Sequence, residues 1–190
     1  ADQYMGIAGS GWYNAWTPTT TASYFSAAVT NTNPINSSGN YLSATFTATG
    51  SSARGSISRA YTSTGDLDVG GEYQIQLDYR LDSAMTTFTN ANDRVMLTGD
   101  SKAEVATNDG TDTELAIAYG AASDGISAQH WGVMNGDGAG GGSLIDTGVA
   151  LSTGTVYHFT FLMDSANHRY QVTISDGGTG SGHVYSSSGW

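Results

Sequence analysis

The sequence predicts an all-β chain, folded as a two-sheet antiparallel β-sandwich or jelly roll. Period-two alternation of apolar and polar side chains runs through residues 72–82 and through both halves of residues 155–177, which is typical of strands buried on one side. Clusters of Gly, Ser, Asn and Asp separate about a dozen such short runs. No segment of ten or more residues shows a convincing apolar period of 3.6, so we expect no helix.

Residues 155–177 predict an antiparallel hairpin, the element that sets the fold class. One face carries Tyr157, Phe159, Phe161 and Met163 before the turn, and Tyr170, Val172 and Ile174 after it. The turn is expected at residues 164–168, because Asp, Ser and Asn side chains bond nearby backbone groups and tolerate unusual dihedral angles. The hairpin therefore buries one of its two sides.

The other strands are predicted from the same signals along the chain. Residues 1–23 form a loop-rich start whose aromatic residues seal one end of the core. The strongest strand, residues 72–82, has an apolar face opposite a face of amides and charges, so its sheet is covered on one side only. Residues 135–142 form the most glycine-dense loop. Further strands are expected at residues 24–31, 41–49, 55–61, 93–99, 102–106, 115–119, 129–134 and 183–186.

The length of 190 residues suits one domain over residues 1–190, since no repeat or linker divides the chain. After residues 183–186 the sequence shows no closing strand. We therefore expect a jelly roll that lacks a closing strand or borrows one, with self-association through an open sheet edge as a consequence.

The composition bounds the partners. The net charge of −11, with only six Lys and Arg, repels phosphate backbones and anionic membranes, so neither nucleic-acid binding nor membrane insertion is expected. Cysteine is absent, so disulfides and thiolate metal sites are excluded. No run approaches the roughly 20 apolar residues of a membrane span. A start without Met, low Lys content and abundant Thr, Ser and Gly favour a secreted, extracellular protein.

Three stretches carry a family resemblance: Y-Q-I-Q-L-D-Y-R-L-D-S at 73–83, D-R-V at 93–95, and V-Y-H-F-T-F-L-M-D-S-A-N-H-R-Y-Q-V-T-I-S-D-G at 156–177. Through them the chain resembles the concanavalin A-like lectin/glucanase superfamily, most of all the LamG-like jelly rolls of secreted bacterial proteins. The resemblance covers most of residues 10–177. It implies two curved antiparallel sheets, a concave and often sugar-facing surface, and frequently a bound calcium ion.

Catalytic patterns are weak, and we predict no enzyme. The glucanase strand motif Glu-x-Asp-x-x-Glu and the Arg/Glu strand of the alginate lyases are absent, and no G-x-S-x-G occurs. Asp78 and Asp82 lie four residues apart with Arg80 between them, a spacing that ion pairing explains. A Ser-His-Asp triad stays open, because triads form in space and not along the sequence.

Sugar binding needs a flat ring that stacks on a pyranose and polar groups that bond its hydroxyls. The predicted carbohydrate-binding residues are Arg59, Gln76, Asp78, Arg80, His130 and Trp131. The alternative is that Trp131 belongs to the core and that the polar strand face is simply solvated.

Calcium takes six to eight oxygen ligands. The loops at residues 108–112 and 135–138 supply the predicted ligands Asp109, Asp112 and Asp137, although Asp-Gly pairs are also ordinary turn formers. One Ca²⁺ ion is accordingly a candidate cofactor.

The leading functional prediction is a secreted, non-catalytic, lectin-like domain that binds a glycan on its concave sheet face. The competing prediction is a structural or adhesive surface protein, or a self-assembling subunit completed by strand exchange. A weaker third is a polysaccharide-active hydrolase or lyase.

Overall fold

A computed structural model describes most of the chain, and every element in the described part is a β-strand paired antiparallel. This confirms the all-β prediction. No helix in this part is long and apolar enough to cross a membrane. The described residues are 15–18, 23–47, 55–59, 72–83, 89–99, 113–136, 142–164, 167, 169–175 and 183–186.

The strands follow one another in the order that the alternation predicts, with two additions. The strands are β1 (Thr17–Pro18), β2 (Phe25–Thr30), β3 (Tyr41–Phe46), β4 (Ile57–Ser58), β5 (Glu72–Arg80), β6 (Arg94–Gly99), β7 (Thr113–Tyr119), β8 (His130–Gly136), β9 (Gly142–Ala150), β10 (Val156–Asp164), β11 (Arg169–Ser175) and β12 (His183–Ser186). The additions are the two-residue β1, in the predicted loop-rich start, and β9. The predicted strand at residues 102–106 lies outside the described residues.

By its internal contacts the chain divides into two compact units, Ala1–Leu67 with Asp100–Asp109, and Asp68–Gly99 with Gly110–Trp190. One domain over residues 1–190 therefore stays a prediction. In the first unit β2 and β3 form a hairpin in which Phe25 lies opposite Phe46, and β1 pairs with β4.

The second unit contains two four-stranded sheets. The β10 sheet has the strand order β12-β11-β10-β5, and the β8 sheet has the order β6-β7-β8-β9. Both contribute side chains to one hydrophobic cluster, because alternate residues of each strand are apolar. Its buried members are Leu115, Ala116, Ala118, Trp131, Val133, Val149, Leu151, Tyr157, Phe159, Phe161, Met163, Tyr170, Val172 and Ile174.

The predicted hairpin is confirmed as β10 and β11. Its register pairs Asp164 with Arg169 at the turn and His158 with Ser175 at the far end. The apolar positions of both strands are buried and the positions between them are partly exposed. β10 also pairs with β5, with Tyr157 opposite Tyr79, so the two strongest sequence patterns become neighbours in one sheet.

The β9 strand contains Asp146, Thr147 and Gly148, a sequence that resembles a turn. Between His130 and Gly132 the β8–β9 register shifts, and Gly148 takes a positive φ of 69°. The Thr147 hydroxyl donates to the Trp131 carbonyl at 2.5 Å and accepts from the Val149 N–H at 3.1 Å. A bulge therefore interrupts the alternation, and the strand continues on both sides of it.

A second, smaller cluster lies on the β8 sheet, formed by Ile117, Tyr119 and Ile126. Ile126 comes from a tight turn in which Ser123 and Ile126 exchange backbone hydrogen bonds of 3.0 and 2.7 Å. The central residues Asp124 and Gly125 have φ values of 50° and 83°, as a type I′ turn requires. Ile126 is almost fully buried, so this turn covers part of the sheet.

Candidate ligand-binding face

The outward face of the β10 sheet carries the polar side chains that alternate with the core residues. Its members are Gln74, Gln76, Asp78 and Arg80 of β5, His158, Thr160 and Leu162 of β10, and Arg169, Gln171, Thr173 and Ser175 of β11. The register aligns them in three rows: Asp78–His158–Ser175, Gln76–Thr160–Thr173 and Gln74–Leu162–Gln171. Neighbouring strands lie about 4.8 Å apart, so each row is a short line of adjacent side chains.

The first row contains a hydrogen-bonded pair of a carboxylate and an imidazole. The Nδ1 atom of His158 lies 2.6 Å from Oδ1 of Asp78, and the His158 side chain is 44% exposed. A carboxylate at Nδ1 holds the orientation of an imidazole ring, so the outer part of the His158 ring is presented to solvent in a fixed position. Ser175 is placed opposite His158 by the register.

The two predicted carboxylates take different partners. Asp82 accepts hydrogen bonds from Arg80 at 2.5 Å (Nε) and 3.3 Å (Nη2), which supports the ion-pair interpretation of this spacing. Asp78 instead pairs with His158, which lies 80 positions away in the sequence. Only 8% of the Arg80 side chain is exposed, so its guanidinium is presented to Asp82 more than to solvent.

The predicted carbohydrate-binding residues do not form one group. Gln76, Asp78 and Arg80 share the outward face of β5. His130 lies in β8, in the other sheet. Arg59 belongs to the first unit, where its guanidinium lies 5.4 Å from the ring centre of Trp16.

The prediction that Trp131 stacks on a sugar is wrong. Its side chain has 0% exposure and lies in the core, where its ring makes edge contacts with Tyr79, Tyr157 and Phe159 at 5.6, 5.9 and 5.1 Å between centroids. The cause is parity, because Trp131 and the buried Val133 lie two residues apart on one side of β8. The alternative interpretation, a core tryptophan, is the one the structure supports.

His130 takes part in a structural contact with Asp146. Its Nδ1 lies 3.0 Å from Oδ1 of Asp146. The same oxygen accepts a hydrogen bond from the Gly148 N–H at 2.8 Å, and Oδ2 accepts one from the Ser127 N–H at 2.9 Å. Desolvation by burial acts to raise the pKa of Asp146. The hydrogen bonds from Ser127, Gly148 and His130 outweigh it and hold that pKa well below its usual value. The carboxylate therefore fastens the β9 bulge to β8 and to the preceding loop.

The residues that the sequence interpretation missed are the outward members of the hairpin: His158, Thr160, Leu162, Gln171, Thr173 and Ser175. The signal was present, because they have the parity opposite to the apolar residues that defined the hairpin. Pairing them with Gln76 and Asp78 required the β5–β10 register, which alternation does not supply.

The predicted calcium ligands Asp109, Asp112 and Asp137 lie outside the described residues. Within the described ranges no three His, Asp or Glu side chains come together as a metal site. The calcium ion therefore stays a prediction.

Comparison with protein-family models, with curated protein sequences and with solved structures finds no match. The resemblance to the concanavalin A-like superfamily accordingly stays a prediction from sequence. The functional groups that bear on a ligand are those of the outward face: amides, hydroxyls, one exposed leucine and the Asp78–His158 pair.

Proposed function

We propose that this chain is a secreted, non-catalytic, lectin-like domain of the jelly-roll type that binds a glycan on the outward face of the β10 sheet. The observation that carries the proposal is the set of three cross-strand rows that contain Gln74, Gln76, Thr160, Gln171 and Thr173. In the proposed jelly roll this face takes the concave position. Of the predicted β5 residues, the proposal keeps Gln76 as a ligand contact and Asp78 as the partner of His158. His158 and Leu162 take the place of the aromatic ring that Trp131 does not provide.

The chemistry of the rows matches that of sugar hydroxyls. A hydroxyl both donates and accepts hydrogen bonds, and so do threonine hydroxyls and glutamine amides. The rows therefore offer complementary groups along lines that cross the strands at intervals of about 4.8 Å. An extended polymer can contact several of these groups at once, which raises its affinity through many individually weak bonds.

Two exposed groups supply the flat and apolar contacts that a pyranose ring needs. The His158 imidazole is held by Asp78 at 2.6 Å, so little orientational freedom remains to be lost when a ring packs on it. Leu162 is exposed at the centre of the third row. These groups take the role that the sequence interpretation gave to Trp131.

A binding role is favoured over catalysis by the side-chain partners of the two aspartates. Glycoside hydrolysis requires two carboxyl groups, one of them a general acid whose pKa is raised. Asp78 faces His158, and Asp82 faces Arg80. Each of the two carboxylates is thus engaged by a hydrogen bond to a neighbouring side chain and is not presented to a ligand as one of a catalytic pair.

The test is a glycan array followed by titration calorimetry with the best polysaccharide. The double variant Thr160→Ala/Thr173→Ala removes two hydroxyls of the middle row, and each lost hydrogen bond costs about 0.5–1.5 kcal/mol. We therefore expect an affinity about tenfold lower. Thr98→Ala, at an exposed position of β6 in the other sheet, is the matched control and should leave the affinity unchanged.

Two outcomes would overturn the proposal. The first is the absence of binding to any glycan of a broad array, in the presence and absence of Ca²⁺. The second is equal loss of affinity in the Thr98→Ala control. Discrete multimers in light scattering, together with a negative array, would favour the competing adhesive or self-assembling function.

A further inference from the structure

We infer that the glycan taken by this face is neutral, a polysaccharide of uncharged hexose units and not a uronate or a sulfated polymer. The inference rests on the proposed glycan binding and specifies its ligand class. It comes from the distribution of charge and apolar surface over the rows of the outward face.

Leu162 marks the centre of the neutral region. Its side chain is 45% exposed, and it lies in β10 between Gln74 of β5 and Gln171 of β11. An exposed leucine by itself is ordinary. Here two amides flank it in one row, which gives an apolar contact bordered by hydrogen-bonding groups. A hexose ring has the complementary surface, C–H groups in the middle and hydroxyls at the edge.

The adjoining row extends the neutral region. Gln76, Thr160 and Thr173 are all uncharged, and they lie two positions along each strand from the Leu162 row. That spacing is about 6.8 Å, from the rise of 3.4 Å per residue in an antiparallel strand. Two parallel lines of uncharged groups therefore occupy the middle of the face.

The charged side chains lie outside this region, and each positive one has an acidic neighbour. Arg80 bonds Asp82 and is only 8% exposed. His158 bonds Asp78. Arg169 lies opposite Asp164 in the β10–β11 register and is exposed at the turn end of β11, where the Asp164 carboxylate accepts hydrogen bonds from Asn167.

A polyanion needs accessible guanidinium or ammonium groups to replace its hydration. In the described parts of β5, β10 and β11, the Lys, Arg and His side chains are limited to Arg80, Arg169 and His158. Arg80 and His158 bond carboxylates, and Arg169 lies opposite one in the register. The net charge of the chain, −11, adds a long-range repulsion. A uronate or sulfate therefore meets no lysine or arginine in the two central rows and is repelled by the net charge of the chain, whereas a neutral polymer avoids that repulsion.

The experiment compares polymers of different charge on the intact chain. Affinity electrophoresis and calorimetry are run with a neutral β-glucan, a neutral galactomannan, a polyuronate, a sulfated galactan and chitosan. We expect binding to at least one of the two neutral polymers, with an affinity independent of salt, and no binding to the two anionic ones.

Leu162→Lys is the diagnostic variant, and Thr98→Lys is its matched control, with the same added charge on an exposed position of the other sheet. Leu162→Lys should weaken neutral binding about tenfold through loss of the apolar contact and should gain salt-dependent binding to the polyuronate. Thr98→Lys should do neither. Thermal unfolding of both variants verifies that they fold.

The results distinguish a failure of the neutral-ligand inference from a failure of the glycan-binding proposal. Binding of the wild-type chain to an anionic polymer, or to chitosan alone, overturns the neutral class and leaves glycan binding standing. Equal effects of Leu162→Lys and Thr98→Lys also overturn it, because the site would then lie elsewhere. Binding to none of these polymers nor to a broad array refutes the glycan proposal and the inference with it.

Discussion

Replacement of Gly132 by alanine tests how tightly the Ile126 turn is fitted to the β8 sheet. A Cβ atom at position 132 would lie 2.7 Å from Cδ1 and 2.8 Å from Cγ1 of Ile126, whereas carbon atoms in contact are about 3.5–4.0 Å apart. Ile126 is 1% exposed, and the backbone pair between Ser123 and Ile126 holds its turn. Neither side of the contact can therefore move freely.

The expected effect is a loss of stability. Overpacking of this kind costs about 1–3 kcal/mol, and replacing glycine by alanine returns about 0.4–1 kcal/mol by restricting the unfolded chain. We therefore expect Gly132→Ala to lower the free energy of unfolding by about 1–2 kcal/mol. Urea unfolding followed by tryptophan fluorescence measures it, with Trp131 as an internal reporter of the core.

A double-mutant cycle isolates the cause. Ile126→Ala removes both Cγ1 and Cδ1 and by itself costs about 2–5 kcal/mol. In that background Gly132→Ala should no longer destabilise, because its methyl group enters the vacated space. The coupling energy between the two positions should exceed about 1 kcal/mol.

A second glycine serves as control. Gly154 has a φ of 79°, and a Cβ there would meet nothing within 4 Å. Gly154→Ala should cost about 1 kcal/mol from backbone strain alone, and equally in both backgrounds at position 126. An unchanged cost of Gly132→Ala after Ile126→Ala would refute the steric explanation.

Two further predictions concern pH. The lowered pKa of Asp146 means that its carboxylate stabilises the fold at neutral pH and that this contribution is lost as the pH falls below about 5. In urea titrations at successive pH values, the free energy of unfolding should fall more steeply with acid for the wild type than for Asp146→Asn. Equal falls in the two proteins would contradict this assignment. Burial, together with the charges of Asp82 and Tyr157, raises the pKa of Tyr79 from 10.0 to about 12. Its contribution is therefore complete below pH 10 and is lost as the pH rises through about 12, so Tyr79→Phe should flatten the alkaline fall in Tm, and an unaltered fall would count against the assignment.

The sequence was informative where the alternation is unbroken. The β10–β11 hairpin and β5 alternate over their whole length, so parity alone separates the core side from the outward side. β9 was not predicted because Asp146, Thr147 and Gly148 resemble a turn. They instead form a bulge whose register shift depends on hydrogen bonds to β8.

Only part of the candidate site could be predicted from the sequence. Gln76, Asp78 and Arg80 were recognised because they share one face of one strand. Their cross-strand neighbours required the β5–β10 register, a contact that spans 80 positions between Asp78 and His158. Trp131 was ambiguous by residue type alone, since tryptophan serves both cores and sugar sites. The parity that it shares with Val133 separates the two possibilities.

The register of β5, β10 and β11 has an evolutionary and engineering consequence. Each outward position lies between two inward ones, so the exchange of Gln76, Thr160, Leu162 or Thr173 alters no member of the buried cluster. The composition of the outward surface and the packing of the framework are thereby encoded in separate sets of codons. A library that randomises the three rows while the inward residues stay fixed should retain folded clones at high frequency, and new ligand preferences can be selected from it without redesign of the scaffold.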